Sequence, residues 1–242
     1  VSRSFNGTSQ SLQSASALAA VSGVARIAVA FWINTTFAAD DDILLELSAN
    51  SNTNAGSFKV IANESATNTF WCDMPGNVGK NPRSRTAPTG SVWHHVLWNL
   101  NFAGTQWLEV ESLYIDGVVA TLTDQIGTGN NTGTFGSYVL NVMSRNNASL
   151  FADGAMADLC IWAPSSALGS TDVTALQTAR ASTVRNSEII YYWPLAGSTS
   201  PEPASIGTIA LTVNGATGSA DPPALAGSVL PPLLIMQTRR AY

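Results

Sequence analysis

The stretch from Trp93 to Ala120, WHHVLWNLNFAGTQWLEVESLYIDGVVA, constrains the fold of this chain more than any other. It reads as two strands joined by a turn. The first, residues 93–101, is dense in aromatic and aliphatic side chains, which suit a half-buried pleated surface. The second, residues 108–115, runs into Asp116-Gly117, a dipeptide that closes tight hairpins because its glycine tolerates positive φ. A short strand over 118–122 follows. Strand after strand with no helical period points to an antiparallel all-β domain.

The rest of the chain continues this pattern. Residues 1–5 form a strand closed by Asn6-Gly7, and residues 9–12 start its partner. In VARIAVAFWIN, residues 24–34, the side chains of Ile27, Val29, Phe31 and Ile33 alternate onto one face. Further strands fit 43–48, 58–61, 69–72, 138–143, 151–162 and 191–195. Residues 75–90, with three prolines and three glycines, read as one long loop. A helix is predicted over 170–181: Ser170 or Thr171 caps it, Asp172 suits the positive end of its dipole, and Val173, Leu176 and Ala179 form a narrow apolar stripe. About fourteen short strands and one short helix suit a two-sheet antiparallel jelly-roll sandwich.

Composition bounds the class. The 242 residues fit one large β domain over 1–223 followed by an arm over 224–242. Apolar residues make up 45% of the chain and charged ones 11%, so solubility rests on neutral polar side chains. Net charge is −5, and Lys59 and Lys80 are the lysines, so no basic block argues for nucleic acid. Cys72 and Cys160 fit two buried thiols of a reducing compartment, or a single bridge. The opening VSRSFNG shows no signal-peptide pattern, and no run of about 18 apolar residues spans a membrane.

Several motifs together resemble one family. The WHHV strand with its LYIDGV hairpin, the FADGAMADLCIW strand, and the closing YYWPL…SPEP…TVNG segment are similar to laminin-G-like, concanavalin A-like jelly-roll domains. The resemblance covers most of residues 1–223 and implies the concanavalin A-like sandwich. That fold hosts lectins, adhesion modules, glycanases and virion proteins alike. Glycanases of the fold carry carboxylates at alternate positions of one strand, as in E-x-D-x-E. Glu109-Val110-Glu111 approaches the pattern but lacks its third carboxylate, so no enzyme activity and no catalytic residue are expected. The adjacent His94 and His95 point to opposite faces of a strand and cannot share one metal. A Cys72–histidine pair would lack an orienting third group. Some laminin-G-like domains hold calcium at a sheet rim, and the Asp40-Asp41-Asp42 loop is the candidate here; otherwise no cofactor is expected.

Two binding readings stand. Stand-alone chains with this SFNG start and this ending resemble laminin-G-like proteins encoded in tailed-phage genomes. That resemblance implies a virion structural protein, a capsid decoration or fibre component. It would fold in the host cytoplasm and either self-associate or attach to the major capsid protein. The alternative is an extracellular, lectin-like adhesion module that binds surface glycans. For it, Trp71 and Trp107 are the candidate sugar contacts, because they lie near loops where an aromatic face can meet a pyranose ring.

The arm supplies the partner-docking candidates. Pro231 and Pro232 force an extended backbone that carries Leu230, Leu233, Leu234, Ile235 and Met236, followed by Arg239 and Arg240. Burying each such apolar side chain is worth about 1.5–3 kcal/mol, so water is not their working environment. They either clasp the parent domain or dock on a neighbouring subunit, with the arginines paired to acidic groups there. Deleting residues 228–242 separates the two. An anchor leaves the melting temperature nearly unchanged and abolishes particle binding, whereas a clasp leaves a truncated chain that unfolds or aggregates.

Overall fold

The computed structural model of the chain describes residues 1–37, 41–49, 54–64, 68–75, 83–88, 91–103, 110–124, 133–197 and 200–219. Among these the strands in chain order are β1 (Ser2–Asn6), β2 (Ser11–Ser14), β3 (Arg26–Asn34), β4 (Ile43–Leu47), β5 (Phe58–Ile61), β6 (Thr69–Asp73), β7 (Arg83–Thr86) and β8 (His94–Asn101). They continue with β9 (Val110–Ile115), β10 (Val118–Val119), β11 (Thr123–Asp124), β12 (Leu140–Val142), β13 (Asp153–Trp162), β14 (Ile189–Trp193), β15 (Leu211–Asn214) and β16 (Thr217–Ser219). The α-helix α1 (Ser170–Leu176) lies between β13 and β14.

Two sheets result. The first runs β10-β9-β8-β3-β13-β1-β16, with β14 also paired to β13. The second runs β11-β7-β6-β5-β4-β12-β2-β15. The strand pairs are antiparallel, as expected for a jelly-roll sandwich. The alternation in β3 is realised: Ile27, Val29, Phe31 and Ile33 face the second sheet and are buried with Val96, Trp98, Leu159 and Ile161. From the other side come Leu45, Phe58, Val60, Phe70, Cys72 and Leu140.

The opposite face of the first sheet is also covered. Ala28, Ala30, Leu97, Cys160, Trp162 and Tyr192 meet Val173 and Leu176 of α1. This explains why β3 reads as an unbroken apolar run. Trp93 and Tyr114, large apolar side chains of the WHHV and LYIDG strands that are natural candidates for the inter-sheet core, lie elsewhere. Trp93 is half-buried beside Trp32 and Ala157, because His94 faces inward and the preceding residue must face out. Tyr114 packs partly buried against the helix cluster instead.

Local differences have local causes. The helix is capped by Gly169, whose N–H donates to Asp172 Oδ2 at 3.0 Å, so Asp172 does sit in the first turn. It stops at Leu176, short of residue 181, because Ala181 is drawn away: its N–H donates to Asp158 Oδ2 at 2.9 Å. Asp158 sits at a register shift in β13 with φ 56 and also accepts the Tyr192 hydroxyl at 2.6 Å. Within the expected loop 75–90, Arg83–Thr86 pairs with β6 as β7. RSRT shows no apolar alternation in sequence. Gly154, the glycine of the FADG motif, has φ 113, and a Cβ there would lie 2.1 Å from the Asn34 carbonyl oxygen.

A buried ion pair locks β1 to the segment between β14 and β15. Arg3 Nε and Nη2 donate to Glu202 Oε2 at 3.0 and 2.7 Å, and the two side chains are 0% and 2% exposed. Glu202 further accepts the N–H groups of Ala196 and Gly197 at 3.1 and 3.2 Å. Arg3→Met strands this carboxylate in the core and is expected to cost about 3–5 kcal/mol in denaturant melts. The double change Arg3→Met/Glu202→Leu is expected to recover more than half of that loss.

Candidate functional site

The acidic and basic side chains of the sandwich divide into those spent on holding the fold and those facing one pocket. Glu111 belongs to the first group. Arg26 Nε and Nη2 grip its carboxylate at 2.9 and 2.8 Å, and Asn101 Nδ2 adds a third bond at 2.9 Å. Burial alone would raise its pKa, but the bonds from Arg26 and Asn101 outweigh this and hold it below the ordinary carboxylate value. A carboxylate clamped in its ionised form is a poor general acid. Glu109 lies outside the described residues.

The histidines also serve the fold. His94 Nδ1 lies 2.6 Å from Asp116 Oδ2, and Asp116 Oδ1 accepts the His95 N–H at 2.8 Å. The Asp-Gly turn that follows β9 is thus tied to the start of the neighbouring β8, which accounts for the WHHV and LYIDG motifs occurring together. His95 points the other way and meets Trp32 edge-on, with ring centroids 5.2 Å apart. Burial pushes its pKa down to about 4 against a small opposing pull from Asp116. The two cysteines are free and lie in different layers, Cys72 between the sheets and Cys160 under the helix. Burial, aided by Asp73 at one and Asp158 at the other, pushes both thiols well above the ordinary range. Neither is an activated nucleophile.

The outward face of the second sheet is different. Cross-strand neighbours place Asp73, Lys59, Glu46, Asn141, Gln13 and Thr212 in one row across six strands. The row is bonded internally: Lys59 Nζ lies 3.6 Å from Asp73 Oδ2, and Gln13 Nε2 donates to Asn141 Oδ1 at 2.8 Å. Glu46, 1% exposed, accepts the Ser48 hydroxyl at 2.8 Å and the Asn146 N–H at 2.6 Å. That last bond fastens the hairpin 145–149 onto the sheet.

At one end of the row lies a cavity of about 230 Å³ lined by Asp41, Ile43, Lys59, Ile61, Glu64, Arg145 and Leu150. Its apolar floor is the cross-strand pair Ile43 and Ile61. Glu64 and Asp41 hydrogen-bond through their carboxyl groups, and burial first, then the Asp41 charge, raises the Glu64 pKa. Trp71 is the cross-strand neighbour of Ile61 on the next strand. Phe70 and Cys72 on either side of it face the core, so Trp71 projects outward, half-buried, beside the cavity.

Of the residues singled out in the sequence, Trp71 is therefore the cross-strand neighbour of the pocket's Ile61, next to the cavity lining but not part of it. Trp107 and the arm residues Leu230 to Met236, Arg239 and Arg240 lie outside the described residues. In the Asp40–Asp42 loop, Asp41 joins the pocket, while Asp42 is 7% exposed with its carbonyl accepting the Ala62 N–H at 2.8 Å. Asp40 lies outside the described residues, among which no group of three His, Cys, Asp or Glu side chains is placed to hold a metal. Lys59 and Glu64 are neighbours in sequence, but Arg145 is not evident as their companion, because it comes from a distant segment. The period-2 pattern of FKVI signals at most that Lys59 faces outward.

The family profile described as the concanavalin A-like lectin/glucanases superfamily matches residues 6–174. No curated protein matches the chain in sequence. Among solved structures, the chain is similar to a native heptameric SAP-like pentraxin from Limulus polyphemus, at 15% identity over 73% of this chain and 81% of that one, with TM-score 0.49. It is similar to the botulinum neurotoxin serotype G binding domain at 14% identity over 64% of this chain, with TM-score 0.46, and spans 36% of that chain. It is also similar to domains LG4-5 of the mouse laminin alpha1 chain at 13% identity over 66% of this chain, with TM-score 0.44, and spans 40% of that one.

The depressed pKa of His95 makes a stability statement. The folded chain keeps the ring neutral down to about pH 4, while the unfolded chain protonates it near the ordinary histidine value of 6.5. Stability from this group is complete above pH 6.5 and is lost as pH falls toward 4, by about 3 kcal/mol in total. Denaturant melts of His95→Phe are expected to show a shallower loss across that window than the wild type.

Proposed function

The chain belongs to the concanavalin A-like lectin/glucanases superfamily, and on that premise we propose that it is a non-catalytic, glycan-binding module carried on a virion. The observation that carries the binding reading is the pocket on the second sheet with Trp71 beside it. Sugar recognition needs an apolar face for the C–H side of a ring and polar groups for its hydroxyls. Trp71, Ile43 and Ile61 supply the first; Asp41, Lys59, Glu64 and Arg145 supply the second.

The same pocket argues against hydrolysis. Glycoside cleavage uses two carboxyl groups roughly 5–9.5 Å apart, with the sugar between them. Asp41 and Glu64 instead bond to each other, leaving no space for a scissile bond between them. Glu111 is occupied by Arg26.

The virion reading, as a capsid decoration or fibre component attached to other subunits, is supported by composition. Charged residues make up only 11% of the chain, with a net charge of −5, so its polar groups are mostly neutral ones.

A glycan array probed with the purified chain is expected to show binding that Trp71→Ala weakens at least tenfold. No reducing sugar is expected from a β-glucan panel. Mass spectrometry of native particles is expected to find the chain in fixed stoichiometry. An array without hits defeats the binding reading, and absence from particles defeats the virion reading.

A further inference from the structure

We infer that Arg145 makes this pocket selective for a sugar ring that bears a carboxylate, as uronic and nonulosonic acids do. The inference rests on the glycan-binding reading above and names the ligand class of that same pocket. Among the charged groups that line it, Asp41 and Glu64 bond to each other and Lys59 lies against Asp73. The Arg145 guanidinium has no ion pair or hydrogen bond among the described residues, although the residue is half-buried. An arginine held at a cavity wall without a partner is an open, planar, two-pronged donor, and a carboxylate matches it with two parallel bonds.

The position of Arg145 is set by its backbone. Its N–H donates to the Ser149 carbonyl at 2.8 Å and its carbonyl accepts the Ala148 N–H at 3.0 Å. The next residue, Asn146, is bonded to the buried Glu46 at 2.6 Å. On the far side of the hairpin, the Ile43 N–H donates to the Leu150 carbonyl at 3.1 Å. The donor is therefore presented by a hairpin fixed at both ends, and little backbone ordering remains to be done on binding.

Two further features narrow the ligand. The cavity, at about 230 Å³, is smaller than the roughly 300–1,000 Å³ of pockets that enclose drug-sized ligands, so it takes one ring of a larger glycan. The Asp41–Glu64 pair repels a dianion such as phosphate but accepts hydrogen bonds from hydroxyls. A monoanionic ring satisfies both walls, with its carboxylate on Arg145 and its hydroxyls on the carboxyl pair.

The test uses the full chain and titration calorimetry at low salt. The probes are methyl glucuronide, methyl N-acetylneuraminide, their methyl esters, methyl glucoside, and sodium acetate and sulfate. The acids are expected to bind at least tenfold more tightly than their esters. Arg145→Gln is expected to erase that preference without moving the melting temperature, and Arg145→Lys to restore part of it. Equal binding of acids, esters and glucoside overturns the acid selectivity while the glycan-binding reading survives. Binding of acetate and sulfate with no sugar bound overturns the sugar as ligand and leaves a plain anion site. No binding of any probe overturns both readings, and an acid preference that survives in Arg145→Gln overturns the role of Arg145.

Discussion

The buried pair of Arg3 and Glu202 holds together parts of the chain that are 199 positions apart in sequence. Removing both charges from water costs several kcal/mol per ion, and the pair is tolerable because every prong has a partner. Arg3 donates twice to the carboxylate, and Glu202 also takes two backbone N–H groups. Its backbone bonds to Leu211 in both directions, at 2.8 and 2.9 Å. β1, set by this pair, lies between β13 and β16 in the first sheet. The closing segment of the chain is thereby made part of the sandwich, well beyond residue 174, where the family match ends.

The two sheets are then unequal. The first is packed on both faces, against the second sheet and against α1 with its flanking turns. The second is packed on one face and turns a polar row outward. That row is largely buried beneath its own loops, since Glu46, Asn141 and Asp73 are at most 1% exposed. Its bonds hold the hairpin that carries Arg145. Polar burial is therefore what connects the framework to the pocket, and it is stable only because the polar groups that fix the hairpin meet one another.

Much of the framework was legible in the sequence because it depends on short-range rules. Period-2 alternation identified the inward face of β3, and Asp116-Gly117 marked a hairpin. The helix began where Asp172 indicated. Reading failed where a distant residue outbid the local signal. Asp158 cut the helix short by capturing Ala181, and β6 made a strand of Arg83–Thr86, whose composition resembles a loop. Trp93 was displaced from the core by a phase shift of one residue, which in a strand reverses the face.

The candidate site divides in the same way. Trp71 stood out because it lies near a loop, where an aromatic face can reach solvent, and its outward direction follows from Phe70 and Cys72 on either side. Arg145 could not be singled out, since an arginine in an Asn/Ser-rich turn looks like any solvated surface charge. By itself the sequence determined the strand periods, the turns and the apolar faces, because those are set by residues a few positions apart. Only the tertiary structure decided which charges are consumed in pairs and which one is left facing a cavity, because pairing depends on register between strands that no local rule specifies.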